Sequence, residues 1–178
     1  MKRLSLALLL LPLVLFVSRI AVADQPAAGD KAPAFSLPSQ EGTKVSLEQN
    51  KGKWVVLYFY PKDFTSGCTV EAHNFQRDLA KYEKLNAAIL GVSLDSVTSH
   101  KDFCAKEGLN FKLLSDADHA VTKAYGSLAK SGETEYAARN TFLIDPAGVI
   151  KKVYVKVSPS THSDDVLADL AALQASKK

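Results

Sequence analysis

Trp54-Val-Val-Leu-Tyr-Phe-Tyr60 is an unbroken apolar run closed by Pro61. Its β-branched and aromatic residues predict a strand buried on both faces. After a polar loop, Lys62–Gly67, apolar residues return at Ala72, Phe75, Leu79 and Tyr82. Spacings of three and four predict an amphipathic helix from about Cys68 to about Asn86. Ala87–Leu94 is a second apolar run and a second predicted strand. Ser99–Glu107 reads as a short helix stopped by Gly108. Leu113–Leu114 is a short strand candidate, and His119–Tyr125 one or two helical turns ending at Gly126. Thr141–Ile144 predicts a third clear strand. Pro146-Ala-Gly148 supplies a turn, and Val149–Val157 pairs back as a fourth strand. Ser163–Gln174 closes the chain as a helix, with Val166, Leu167, Leu170 and Leu173 on its apolar face. Asp164 and Asp165 fall in its first turn, where the dipole favours them. Residues 24–34 hold two prolines and a glycine and read as an extended arm.

The order is strand, helix, strand, helix, then strand–strand–helix. It predicts an α/β domain with a mixed central sheet and helices on both faces, thioredoxin-like in its closing hairpin and helix. One domain over 24–178 accommodates it. Such a fold hosts many activities, so function must come from a site.

Residues 1–23 read as a separate object. Lys2 and Arg3 precede the apolar stretch 6–17, and Ala21-Val22-Ala23 places small residues where a signal peptidase reads. The expectation is a signal peptide cleaved near Ala23 and an exported, periplasmic protein with no membrane attachment afterwards. The competing reading is an uncleaved anchor, which Pro12, Ser18 and Arg19 interrupt.

That division changes the charge. The whole chain is +3, but Lys2, Arg3 and Arg19 account for all of the excess, and 24–178 is formally neutral. No basic excess remains to suggest nucleic acid. With 47% hydrophobic and 23% charged residues, the 178-residue chain is globular rather than disordered. Cys68 and Cys104 are its two cysteines, too few for a disulfide-dense scaffold or a four-cysteine zinc module. In an oxidising compartment the bland reading of such a pair is a permanent staple.

Local sequence argues otherwise. Cys68 lies where the exit loop of a buried strand becomes a helix, so its sulfur meets unpaired N–H groups and the positive end of the helix dipole. Both favour the thiolate. An unperturbed thiol is about 3% ionised at pH 7, so full ionisation raises reactivity by at most about 30-fold. A fast thiol enzyme also needs donors that hold the substrate and stabilise charge in the transition state. Thr65, three residues before Cys68, and Arg139, just before the Thr141–Ile144 strand, are candidates, with Pro61 as a shield against water.

Pro61-x-x-x-Thr65-x-x-Cys68 resembles the peroxiredoxin active-site motif. Phe59-Tyr-Pro-Lys-Asp63 followed by Gly67-Cys-Thr-x-Glu-Ala72 is similar to the peroxiredoxin Q, or bacterioferritin-comigratory, group. Gly29–Phe35, Phe111–Asp116 and Arg139–Gly148 resemble its other blocks, and the likeness spans residues 29–174. It implies a thiol-dependent peroxidase without a cofactor or metal, acting on hydrogen peroxide and organic hydroperoxides. Cys68 would be the attacking cysteine, passing through sulfenic acid. Thr65 would orient the peroxide, Arg139 would stabilise the thiolate and the O–O bond, and Pro61 would exclude water. The N–H groups of Gly67 and Cys68 would complete the pocket, and Glu71 would orient Arg139. The partners implied are the peroxide and a thioredoxin-like dithiol reductant, and the group is often monomeric.

Several positions depart from the group. The resolving cysteine that many members carry five residues after the first is His73 here, and the remaining candidate is Cys104, on the helix used by a subset of the group. Pairing with Cys68 would then require the first turn after Gly67 to unwind. Ser66 stands where a proline is common, and Phe64 makes the loop more apolar. A one-cysteine peroxidase, a thioredoxin-like disulfide reductase and a metal carrier using Cys68, Cys104 and a histidine are the alternatives. Thr65-Ser-Gly-Cys68 lacks the first cysteine of a C-x-x-C. His100 and Cys104 have ligand spacing, but no further ligands are evident.

Overall fold

The computed structural model describes residues 25–176. The proposed signal, residues 1–23, lies outside them. Among the described residues no helix is long and apolar enough to cross a membrane.

In chain order the elements are β1 (Ser36–Pro38), β2 (Lys44–Ser46), β3 (Trp54–Phe59), α1 (Ser66–Lys84), β4 (Ala87–Ser93), α2 (Val97–Glu107), β5 (Lys112–Ser115), α3 (Ala120–Ala124), β6 (Leu128–Ser131), β7 (Thr134–Ala137), β8 (Asn140–Ile144), β9 (Ile150–Val155) and α4 (His162–Ala175). The central sheet runs β5-β4-β3-β8-β9. β3 is parallel to β4, and β4 to β5, whereas β8 lies antiparallel to β3 and β9 to β8. The mixed sheet is the one expected.

All six residues of β3 are buried because the strand is covered on both faces. Trp54, Val56, Tyr58 and Tyr60 point into one core, with Phe75 and Tyr82 of α1, Phe103 of α2, and Val166 and Leu170 of α4. Val55, Leu57 and Phe59 point into the other, with Phe142, Ile150, and Val121 and Tyr125 around α3. Three helices therefore cover one face, and the short α3 with the N-terminal segment covers the other. Period-two alternation in an all-apolar strand supplies both cores.

Element bounds and two hairpins differ from the sequence expectation, α2 for example beginning at Val97 and not Ser99. α1 begins at Ser66, two residues early, because Thr65 is extended (φ −82°, ψ 146°) and forms the N-cap. The hairpins β1–β2 and β6–β7 were not anticipated. Their strands have three or four residues and bury only Leu37 and Ala137, too little for a period to register. α2 is cleanly bounded. Ser96 accepts a hydrogen bond from the Ser99 N–H, and Gly108 closes the helix at φ 66°, a conformation glycine adopts without strain.

Candidate active site

The chain leaves β3 through Tyr60 and Pro61 and turns into α1 within five residues. Phe64 makes the turn at φ 61°, an uncommon conformation for a bulky residue. Cys68 is the third residue of α1, so its N–H and that of Gly67 belong to the first turn, where no intrahelical acceptor exists. Cys68 is 2% exposed.

Arg139 reaches its sulfur from 71 residues away. Antiparallel pairing sets Thr141 of β8 opposite Tyr58 of β3, which brings the residue before β8 to the exit of β3. Arg139 Nη2 donates to Cys68 Sγ at 3.1 Å, and Nη1 donates to Glu71 Oε2 at 2.6 Å. Glu71 is one helical turn beyond Cys68, on the same face of α1. One planar guanidinium therefore spans sulfur and carboxylate together. Glu71 is 1% exposed. Burial pushes its carboxyl up to about 7, with Arg139 pulling in the opposite direction.

Gly67 has a packing reason to be glycine. A Cβ there would lie 2.9 Å from Arg139 Nη2, so the guanidinium occupies the space of a side chain. Gly67→Ala is expected to push the guanidinium off the sulfur and lower the rate with peroxide by roughly tenfold, less than the about 10²–10³ for losing a donor outright, because the flexible Arg139 side chain is displaced and not removed. Stopped-flow kinetics, with a thermal melt as control, would check this. A rate within twofold of the parent would count against it.

The other sequence candidates are placed as follows. Thr65 is exposed at the helix cap, and its hydroxyl donates to the Lys62 carbonyl at 3.0 Å. Pro61 is half-buried at the head of the loop. Cys104 is buried on α2, within the same core as Cys68, and both are free thiols. Burial pushes the Cys104 thiol up to about 11, with the charges of Asp63 and Glu41 adding and Lys112 opposing. His73 is half-exposed and pairs with Glu107 of α2 at 3.0 Å. His100 does not turn towards a ligand cluster with Cys104, but pairs with Asp63 at 2.9 Å. Asp63 itself was not singled out from its charge and spacing. A lone aspartate in a polar loop gives no sign that it will be buried.

Comparison with known proteins agrees with this geometry. The AhpC/TSA family matches residues 28–153. This chain belongs to the AhpC/TSA family. A Xanthomonas campestris peroxiredoxin Bcp is 42% identical over 158 residues, covering 85% of this chain and 96% of its own length. The Escherichia coli K12 peroxiredoxin Bcp is 42% identical over 144 residues, covering 79% and 92%. A crystal structure of a cysteine-to-serine mutant of Xylella fastidiosa PrxQ superimposes with a TM-score of 0.81 at 36% identity, covering 85% of this chain and 99% of its own. The chain is thus a peroxiredoxin, a thiol-dependent peroxidase of thioredoxin-like fold that takes a peroxide and a thiol reductant.

One expectation is corrected here. The sequence reading placed a signal peptide before the domain and the enzyme in the periplasm. Four-fifths of this chain accounts for 92–96% of the Bcp relatives' own length. The likeness therefore lies in the peroxiredoxin domain and gives an export signal or a periplasmic setting no support. That reading is set aside.

Proposed function

We propose that this peroxiredoxin reduces hydrogen peroxide and organic hydroperoxides through Cys68, and resolves the product with Cys104. The observation that carries the reading is the Arg139 guanidinium, held by Glu71 and donating to the Cys68 sulfur at 3.1 Å. A cation there stabilises the thiolate and the negative charge that develops as the O–O bond lengthens. The Cys68 thiolate attacks one peroxide oxygen. The S–O bond forms, the O–O bond breaks, and the departing oxygen takes up a proton to leave as water or an alcohol. Thr65 orients the peroxide, Pro61 limits water, and the Gly67 and Cys68 N–H groups line the pocket. The organic part of the substrate range draws on a solved relative, a Xanthomonas campestris bacterioferritin comigratory protein studied for alkyl peroxide reduction, 38% identical with a TM-score of 0.76.

The two thiols sit in contrasting surroundings. Among the described residues no cation bonds to the Cys104 sulfur, and burial, which pushes its thiol up to about 11, keeps it almost wholly protonated at pH 7. It is therefore unsuited to attack peroxide and suited to wait. Unwinding the first turn of α1 brings the Cys68 sulfenic acid to it and lets its proton go. The Cys104 thiolate then attacks the Cys68 sulfur, the S–S bond forms, and hydroxide leaves as water. A thioredoxin-like dithiol protein reduces the disulfide by exchange.

Peptide mass spectrometry after one equivalent of peroxide tests this. The expected product is a Cys68–Cys104 disulfide, and in Cys104→Ser a sulfenic acid confined to Cys68. A Cys68 sulfenic acid that persists with Cys104 free would make the enzyme a one-cysteine type. Oxidation beginning at Cys104 would overturn the assignment.

A further inference from the structure

Asp63 lies in the loop between Pro61 and Thr65, yet it is 3% exposed, unlike its neighbours Lys62 and Phe64. Its carboxylate accepts from the Tyr60 hydroxyl at 2.7 Å, from the Ser99 hydroxyl at 2.7 Å and from His100 Nδ1 at 2.9 Å. Its backbone N–H donates to Asp95 Oδ2 at 2.9 Å, and Asp95 in turn accepts from the Ser93 hydroxyl. The loop is thus bonded to the β4–α2 connection and to the first turn of α2, and only through Asp95 to Ser93 at the end of β4. None of these partners belongs to α1.

The histidine is hard to explain as core filling. His100 is fully buried, and among the described residues its Nε2 has no hydrogen-bond partner. An unpaired buried ring nitrogen costs stability that an apolar side chain would not. What the imidazole supplies in return is a hydrogen bond through Nδ1, which donates to the Asp63 carboxylate. His100, Ser99 and Tyr60 together hold Asp63 below the usual carboxylate range, although burial pushes the other way.

The consequence reaches the reacting sulfur through the loop. Asp63 is two residues before Thr65, whose hydroxyl is tied back to the Lys62 carbonyl, and Phe64 between them holds φ 61°. Phe64 also packs edge-on against Phe103 of α2 at 5.1 Å, but its ring contact does not fix the backbone, so without the polar anchor at Asp63 the Thr65 cap is expected to drift from the Cys68 turn. Misplacement of a positioning group by about 1 Å can cost roughly 10²-fold in rate.

We propose that Asp63 and His100 are positioning residues for the peroxide step: their buried pair pins the loop that carries Thr65 to α2, and so fixes the peroxide-binding geometry above Cys68. The inference rests on the reading that Cys68 is the attacking thiol, and does not depend on Cys104. Neither residue touches the reacting atoms, so the effect must appear as a rate and not only as stability.

The test uses the Cys104→Ser protein, in which Cys68 oxidation is observed alone by stopped flow. His100→Phe keeps the bulk and loses the donor, and is expected to lower the second-order rate with peroxide by tenfold or more. His100→Asn returns an N–H near the position of Nδ1 and should stay within threefold of the parent. Asp63→Asn should lose as much as His100→Phe, and the double variant should lose no more than the worse single one, because both break the same pin. A lower melting temperature with rates unchanged within twofold in His100→Phe and Asp63→Asn would overturn the proposal. Where His100→Phe does not fold, Ser99→Ala and Asp63→Asn decide it, with unchanged rates again overturning it. Cys68→Ser separates the two failures. Peroxide reduction surviving in Cys68→Ser would sink the reading of the site, whereas its loss there beside full rates in the pin variants would sink only this inference.

Discussion

Cys68→Ser is expected to lower peroxide reduction by at least about four orders of magnitude, the scale seen when an enzyme loses its nucleophile. A hydroxyl at this place still packs, since Cys68 is a small buried side chain in the core beneath α1. It still receives the Arg139 donor. It does not ionise near neutral pH, however, and an alcohol does not attack an O–O bond as a thiolate does. The structural effect should therefore be small and the chemical effect nearly complete. Peroxide consumption with a dithiol donor measures the second, and a thermal melt the first. A folded variant retaining even a tenth of the activity would move the nucleophile elsewhere.

Arg139→Leu should combine a loss of rate with a change in how stability depends on pH. Removing one preorganised donor from a developing negative charge typically costs about 10²–10³ in rate. The second consequence concerns Glu71. Its carboxyl sits at about 7 in the folded protein, raised by burial from an ordinary 4.5. A raised carboxyl contributes stability that is fully present below pH 4.5 and is lost as pH climbs through 7, because the folded state binds the extra proton. Arg139 restrains that rise. Without it the carboxyl is raised further, and keeping it ionised in the core costs more. Arg139→Leu should consequently be destabilised by about 3 kcal/mol at pH 8, and by much less at pH 5, in urea unfolding. Adding Glu71→Gln should recover most of the pH 8 loss and none of the activity. A penalty equal at both pH values would mean that Glu71 is not held as described.

Much of this was legible in order along the chain. The run Trp54–Tyr60 announced a central strand because a strand covered on both faces has no polar positions. The spacing of Ala72, Phe75, Leu79 and Tyr82 announced α1, because helical period and apolar face coincide. The position of Cys68 at a strand-to-helix junction was likewise visible, and with it the supply of first-turn N–H groups. The hairpins β1–β2 and β6–β7 were not visible, because strands of three or four residues contain less than the pattern needs. The early start of α1 follows from Thr65, a residue type favoured at the N-cap, which is extended there so that the helix begins at Ser66.

What the amino-acid order determined by itself was therefore local: which segments are strands and helices, which thiol stands at a helix start, and which family pattern surrounds it. The family pattern named Arg139 as a group meeting that thiol, and the tertiary structure decided how it is delivered and what else holds the site. Arg139 comes within 3.1 Å of Cys68 because antiparallel pairing of β8 with β3 delivers it there. Gly67 is needed because that guanidinium fills the space of its missing side chain. Asp63 looks like any loop acid until α2 folds over it and presents Ser99 and His100. The physical reason is common to all three. Hydrophobic period is a property of neighbours along the chain. A hydrogen bond to a buried charge depends on elements brought together from far apart, so hydrophobic period does not encode it, and Arg139 was expected at the site only from its place before β8 and from the family pattern.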